Sequence, residues 1–417
     1  MLYYLALLLA VSAAYIVQMK LYEKHTADKL TYTVRTSAEE VFEGEDVYLF
    51  EDVENDKWLP LPFVKVNSDL PKGLYFHFTN RTDGGEWRET YEAGTTSIYV
   101  MQSYQKISRR WRITCRRRGV YQIGKSTLVV NDLFGMNNRS FSSEQLSGSK
   151  TCRLVVLPRA IDLETHFVSS EGFSGDVTAN HSMLTDPLLL AGTRDYRPGD
   201  PMRSVNWSST AAHGRLMVNV EEHFHRFLFN IILNMQSRDI EKDKTVPSDT
   251  DGIEQCINVT ATLLDRASVH NVPVRVILNT PPAPLSEEGI LPIAAEDDPV
   301  GSVIAVSPGY EGRQDTVRAL RMLAALPMKI SVPEEQLLDH IIAHPTWYTE
   351  TDAGGQANLI FVTTYFSERM LHFHRAMQER GVHVIYYVTT TNRNMLTLPD
   401  DIEIYFSVGS TSADNAH

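Results

Sequence analysis

The chain has 417 residues, more than one hydrophobic core usually serves, so two or three domains are expected. It carries 39 basic and 52 acidic residues, and the net charge of −13 argues against a general nucleic-acid coat protein. Three cysteines without Cys-x-x-Cys spacing indicate neither a zinc site nor a disulfide framework. We expect Cys115, Cys152 and Cys256 to be small buried thiols in a reducing compartment.

Residues 1–19 contain no charged side chain, and a membrane-spanning helix needs about 17 to 25 apolar residues. A cleaved signal peptide is the alternative, because Ser12-Ala-Ala supplies small residues. No Lys or Arg precedes the apolar run, however, while Lys20, Lys24 and Lys29 follow it. We therefore predict an uncleaved, single-pass anchor in the cell membrane, with the bulk of the chain in the cytoplasm.

Residues 30–158 contain short runs of β-prone residues that alternate with turn signals. Glu43-Gly-Glu-Asp and Asp83-Gly-Gly are two of these turns, and the spacing predicts a β-sandwich domain.

One predicted strand of this domain is strongly basic. Arg110, Arg112 and Arg116 share one face, and Trp111 and Cys115 lie on the other. The face is either solvated, with its arginines paired to acidic neighbours, or a contact for anionic lipid headgroups or an acidic partner. Specific nucleic-acid binding is not expected, because no recognition module is visible.

Residues 159–225 are predicted to be a connector, and they hold the densest polar cluster of the chain. Pro198-Gly199 suits a type II turn, Asp200 suits an N-cap, and an alternating strand follows from Leu216. The cluster is expected to be an interaction motif, and its members are Arg194, Tyr196, Pro198, Gly199, Asp200, Arg203 and Trp207.

Residues 226–417 alternate strands and helices, which predicts an α/β domain with a mainly parallel sheet. No phosphate-binding loop, dinucleotide fingerprint or nucleophile elbow is present. We therefore expect no catalytic residue, cofactor, metal or small-molecule substrate. A hydrolase that uses Asp195 or Asp200 with His213 remains the enzymatic alternative.

The motif Arg-x-Tyr-x-Pro-Gly-Asp-x-x-Arg-x-x-x-Trp, from Arg194 to Trp207, resembles the signature of the bacterial domain of unknown function 58 family. Two further stretches are similar to that family, Val41-Phe-Glu-Gly-Glu and the run from Arg117 to Gly135. The resemblance implies a membrane anchor, a β-sandwich and a C-terminal region similar to von Willebrand factor A domains. It also implies a MoxR-type AAA+ ATPase as partner.

One departure concerns metal binding. Von Willebrand A domains that bind Mg²⁺ carry Asp-x-Ser-x-Ser after the first strand, whereas the matching positions here are Asn234, Gln236 and Arg238. Thr364-Tyr365 stands where a later acidic residue is expected. Because Mg²⁺ prefers carboxylate and other hard oxygen ligands, we predict that the metal site is lost.

The leading hypothesis is therefore a membrane-anchored interaction or adaptor protein that binds a MoxR-type ATPase. The motif would be a docking surface or would clasp the two domains together. A lipid- or envelope-binding module that uses the basic strand is the alternative.

Overall fold

A computed structural model describes the chain in the following ranges: 2–81, 87–132, 138–169, 193–195, 210, 215–219, 229–241, 243, 245–269, 272–283, 304–348, 358–389 and 402–407. The chain divides into two compact units, residues 1–158 and 159–417.

The first unit begins with a helix, α1, which spans Leu2–His25. By length and composition, Tyr3–His25 is able to cross a membrane. The helix continues past residue 19, where the predicted anchor ends, because its last turns pack against the β-strands. Tyr22 is buried in the core of this unit, and its hydroxyl donates to the carbonyl of Pro60 at 2.8 Å.

Twelve strands follow the helix among the described residues of this unit. They are β1 (Leu30–Thr36), β2 (Glu40–Phe42), β3 (Asp46–Asn55), β4 (Leu61–Asp69), β5 (Leu74–Arg81), β6 (Trp87–Glu92), β7 (Gly94–Met101), β8 (Gln105–Cys115), β9 (Gly119–Ile123), β10 (Ser126–Asn131), β11 (Asn138–Ser142) and β12 (Cys152–Leu157).

These strands form three sheets, with the orders β1-β3-β8-β5-β6, β11-β10-β4-β7 and β2-β12-β9. All pairings are antiparallel except β2 with β12. Alternate residues of each sheet point into one shared core, as Tyr32 of β1, Val64 of β4 and Val156 of β12 illustrate. The predicted β-sandwich is therefore confirmed. Cys115 is buried as expected, but Cys152, on the edge of the core, is half-buried.

A carboxylate lies at the centre of this apolar core. Glu51 is fully buried, and its Oε1 accepts from the hydroxyls of Tyr32 at 2.7 Å and Ser68 at 2.5 Å. Its Oε2 accepts from the hydroxyl of Tyr99 at 3.1 Å and from the indole N–H of Trp111 at 3.2 Å. The four donors come from β1, β4, β7 and β8, so one side chain joins two sheets.

The second unit contains five further helices and nine further strands among its described residues. They are α2 (Leu163–His166), β13 (Phe167–Ser169), β14 (Thr193–Asp195), β15 (Met217–Asn219), β16 (Phe229–Leu233), α3 (Thr250–Val269), β17 (Val274–Leu278), β18 (Ala305–Val306), α4 (Gly312–Ala324), α5 (Glu334–Ala343), β19 (Asn358–Thr363), α6 (Glu368–Glu379), β20 (His383–Val388) and β21 (Glu403–Ser407).

Seven of these strands form a sheet of order β13-β21-β20-β19-β16-β17-β18. Its four inner pairings are parallel, and antiparallel strands close both edges. Every residue of β16 and β19 is buried, which requires cover on both faces. Helix α3 packs on β16 and β19, and side chains of α5 and α6 join the other core cluster.

Candidate functional site

Most of the predicted interaction motif lies outside the described residues, namely Tyr196, Pro198, Gly199, Asp200, Arg203 and Trp207. Arg194 lies on β14 and pairs in register with Val218 of β15, so the backbone at the start of the motif forms a two-stranded ribbon. The docking role of the motif stays a prediction.

The carboxyl edge of the seven-stranded sheet gathers the polar residues that are described. Strands β17, β16 and β19 are parallel neighbours, and Asn279, Asn234 and Thr363 stand at their carboxyl ends. In open α/β sheets, ligand sites lie along this edge. Asn234 and Gln236, which follow β16, therefore fall where a ligand site is expected on physical grounds.

Asn234 and Asn279 lock the ends of β16 and β17 together. The Oδ1 of Asn234 accepts from the backbone N–H of Gln236 and from the Nδ2 of Asn279, both at 3.0 Å. The Oδ1 of Asn279 accepts from the N–H of Met235 at 2.8 Å, and its Nδ2 also donates to the carbonyl of Val332 at 3.0 Å. Both amides are fully buried, so these bonds are made away from water.

Gln236 extends this network. Its Oε1 accepts from the N–H of Glu334 at 2.9 Å, and its Nε2 donates to the carbonyls of Arg238 at 2.7 Å and Asp239 at 3.1 Å. The amide oxygens of Asn234 and Gln236 thus already accept hydrogen bonds, and the exposed Arg238 carries a positive charge beside them. Cation binding here would require these bonds to break, which is the physical ground for predicting that the metal site is lost.

The loop that follows, residues 237–241, is held by one carboxylate. The Oε1 of Glu241 accepts from the N–H of Ser237 at 2.7 Å, from its hydroxyl at 2.6 Å and from the N–H of Arg238 at 3.2 Å. The Oε2 accepts from the N–H of Ser248 at 3.0 Å. Burial alone would raise the pKa of Glu241, but the hydrogen bonds from Ser237 and Ser248 lower it further than burial raises it. The hydrogen bonds to Glu241 therefore hold the backbone of this loop in place.

The tip of this loop faces solvent. Arg238, Asp239 and Ile240 are exposed, and Ile240 shows 85% of its surface. Arg369, near the start of α6, lies 3.5 Å from Asp239 and 3.6 Å from Glu335. Among the described residues of the loop, Ile240 is thus a large exposed apolar side chain flanked by charges of both signs, on a backbone held by hydrogen bonds. Most residues around it in the sequence are polar, and no local pattern distinguishes Ile240 from a core residue.

Beside the loop lies a buried acid. The carboxylate of Glu334 accepts from the hydroxyl of Ser367 at 2.6 Å and from that of Tyr365. The pKa of Glu334 is raised above its ordinary value, mainly because the carboxyl is buried. The hydrogen bonds from Ser367 and Tyr365 lower this pKa in part, while nearby Asp239 raises it and Arg369 lowers it.

This shift predicts a pH dependence of stability. With the folded pKa above the unfolded value of about 4.3, the contribution of this carboxyl is complete below that pH and is lost as pH rises through the folded pKa. Replacing Glu334 with Gln is therefore expected to remove this loss, so that the variant gains stability relative to the wild type as pH rises above about 4.3. Urea unfolding of both proteins from pH 4 to 8 measures the difference, and parallel pH profiles would contradict the prediction.

All three arginines of the predicted basic face, Arg110, Arg112 and Arg116, lie in the described part of the chain. Arg112 donates from Nε to Asp46 at 2.7 Å, and the guanidinium of Arg110 lies 4.8 Å from the ring centre of Tyr48. The guanidinium of Arg116 lies 4.2 Å from the ring centre of Tyr91. Each cation already has an acidic or aromatic neighbour, which favours the interpretation of a solvated face over that of a lipid contact.

No family model and no curated protein matches the chain. A CARDB domain from Pyrococcus furiosus is similar over 30% of this chain and 91% of its own, at 14% identity and a TM-score of 0.18. A non-cellulosomal cohesin from Archaeoglobus fulgidus matches over 31% of this chain and 91% of its own, at 11% identity and a TM-score of 0.19. The collagen-binding subdomain of the Enterococcus faecalis surface protein ACE matches over 30% and 96%, at 9% identity and a TM-score of 0.18.

Proposed function

We propose that this chain is a membrane-anchored interaction protein whose α/β unit binds a protein partner at the carboxyl edge of its sheet. Helix α1 would anchor the chain in the cell membrane, and the bulk of the chain would lie in the cytoplasm. The loop 237–241 would be the docking element, and Ile240 its apolar anchor.

The observation that carries this proposal is the 85% exposure of Ile240 on a backbone fixed by Gln236 and Glu241. A large apolar side chain at a charged rim is the usual composition of a protein interface. A loop that is already ordered loses little conformational entropy on binding, so more of the contact energy appears as affinity.

The partner follows from the resemblance to the domain of unknown function 58 family. A MoxR-type AAA+ ATPase is the partner we propose, and the second unit would be its von Willebrand factor A-like receptor, without a bound metal. The motif from Arg194 to Trp207 would supply further contacts or clasp the two units together. This role needs no catalytic group, so we propose a binding protein rather than an enzyme.

The test is a pair of matched substitutions. Ile240→Ser is expected to weaken binding of the ATPase about tenfold or more, because truncating a buried interface anchor costs about 2 kcal/mol. Val269 is 73% exposed at the end of α3, next to the amino ends of the strands, so Val269→Ser removes a similar apolar surface at the opposite edge. Affinity measured with purified proteins should fall only for the first variant. Equal affinities for the wild type and Ile240→Ser would refute the proposed docking element.

A further inference from the structure

Two exposed aromatic residues lie beside the end of the apolar helix. Trp58 stands in the connection between β3 and β4 and is 58% exposed. Tyr104 stands in the connection between β7 and β8 and is 68% exposed. Val100, near the end of β7, is also 68% exposed. Other exposed apolar side chains of the unit, Tyr48 among them, lie elsewhere on its strands, whereas Trp58 and Tyr104 stand in two connections that are bonded to each other.

The connection that carries Trp58 is bonded to the chain that leaves α1. The carbonyl of Pro60 accepts from the hydroxyl of Tyr22 at 2.8 Å, and the N–H of Asp56 donates to the carbonyl of Lys29 at 3.0 Å. The ammonium of Lys57, which is 5% exposed, donates to the carbonyl of Asp28 at 2.8 Å. The position of this connection relative to the helix end is thus fixed on both sides of Trp58.

The second connection is bonded to the first. The N–H of Tyr104 donates to the carbonyl of Lys57 at 3.1 Å, and the Nδ2 of Asn55 donates to the carbonyl of Gln102 at 2.9 Å. The hydroxyl of Ser103 donates to the carbonyl of Trp58. Trp58 and Tyr104 therefore belong to one rigid end of the sandwich.

Tyr104 has a strained backbone. Its φ of +55° lies in the left-handed region, where a side chain costs about 1 kcal/mol or more and glycine is preferred. The backbone conformation of the turn favours glycine at this position, so it does not explain why a bulky aromatic residue stands there.

The position at which the uncharged run of α1 ends determines how deep the connection that carries Trp58 would lie in a bilayer. Tyr22 lies three residues after Met19, the last residue of the uncharged run, which is about 4.5 Å along a helix axis. The headgroup layer on each side of a bilayer is about 5 to 7 Å thick. If residues up to Met19 fill the hydrocarbon core, the connection bonded to Tyr22 lies within that layer, where Trp and Tyr side chains partition favourably.

We propose that Trp58 and Tyr104 insert into the headgroup layer of the bilayer that α1 crosses, so that the end of the β-sandwich docks against the membrane. This inference rests on the proposed membrane anchor. Lys20, Lys24 and Lys29 are exposed at the same end of α1, so the aromatic contact is tested in a zwitterionic bilayer, where it does not depend on anionic lipid.

The test uses the full chain reconstituted in phosphatidylcholine vesicles that contain lipid brominated close to the glycerol, a quencher of tryptophan fluorescence. Trp58→Phe is expected to lose most of the lipid-dependent quenching. Tyr104→Gly is expected to reduce the quenching of Trp58, and it should leave the melting temperature unchanged or higher because the φ strain is relieved. Tyr48→Ser is the control, since Tyr48 is an exposed aromatic residue seven positions, or about 23 Å, along β3 from Asn55. It should retain full quenching.

Two outcomes would overturn the inference and can be told apart. If the full chain does not float with the vesicles in a density gradient, the membrane anchor fails, and this docking contact fails with it. If the chain floats but Trp58→Phe shows the same lipid-dependent quenching as the wild type, the anchor stands and the docking contact alone is refuted.

Discussion

Replacing Glu51 with Ala is expected to lower the free energy of unfolding of the β-sandwich unit by about 3–5 kcal/mol, because a buried side chain that accepts four hydrogen bonds is removed from the core. Glu51 is fully buried and accepts from the side chains of Tyr32, Ser68, Tyr99 and Trp111. The substitution takes the acceptor from the hydroxyl of Tyr99 and the indole N–H of Trp111, whereas Tyr32 and Ser68 keep their contacts with Ser126. It also removes a side chain that bonds to strands of two sheets.

Two matched variants separate the network from other effects. Glu51→Gln keeps the shape, and the hydroxyls of Tyr32 and Ser68 are able to turn and accept from its amide, so we expect a loss of about 1–2 kcal/mol. Glu54→Ala removes an exposed carboxylate from the same strand and is expected to change stability by less than about 0.5 kcal/mol. Urea unfolding followed by intrinsic fluorescence measures all three. Equal losses for Glu51→Ala and Glu54→Ala would show that the network does not stabilise the unit.

Replacing Asn279 with Ala is expected to destabilise the α/β unit by about 2–4 kcal/mol, because several buried polar groups lose their partners together. The N–H of Met235 loses its acceptor, and the Oδ1 of Asn234 and the carbonyl of Val332 each lose a donor. The damage is local to the ends of β16 and β17, just below the loop that carries Ile240.

Hydrogen exchange gives the sharpest readout of this change. The Met235 amide should exchange much faster in Asn279→Ala, while amides of β20, two strands away, should change only through the loss of global stability. Gln314→Ala, on an exposed position of α4, is the control and should leave both the Met235 amide and the unfolding free energy nearly unchanged. Protection of Met235 at the wild-type level in Asn279→Ala would contradict the prediction.

The helices and strands in which apolar residues recur at regular spacing could be predicted from the sequence. Ile253, Ile257, Ala261 and Leu264 recur at helical spacing, which predicts the helix α3 at Thr250–Val269. Alternation of apolar with basic residues predicts β8, whose Ile113 and Cys115 are buried while Arg110 and Arg112 are exposed. The end of α1 could not be predicted in this way. Residues 20–25 contain enough polar side chains to indicate a segment that follows the membrane-spanning helix. They are part of that helix because Tyr22 is buried by strands that lie far along the chain.

The network of Glu51 and the loop of Ile240 show why the rest required a structure. The partners of Glu51 lie between 17 and 60 residues away in the sequence, so only the register of the sheets brings them together. A glutamate within a strand otherwise indicates an exposed position. Likewise, an isoleucine in the sequence indicates a core residue, and the exposure of Ile240 depends on Gln236 and Glu241 holding the loop outward.

The candidate metal positions were placed by resemblance alone. Asn234, Gln236 and Arg238 follow β16 at the carboxyl edge of the sheet, and their correspondence to a metal site stays a prediction. The hydrogen bonds they make there involve Asn279 and Glu334, and no sequence pattern connects these two residues with them.

The most direct test of the proposed function is site-specific crosslinking from position 240. A photo-reactive amino acid replaces Ile240 in the full chain, in membranes that contain the MoxR-type ATPase of the same cell, and a second protein carries it in place of Val269. We predict that the ATPase is crosslinked from position 240 and not from position 269. Crosslinking to the same extent from both positions, or from position 269 alone, would contradict docking at the carboxyl edge of the sheet.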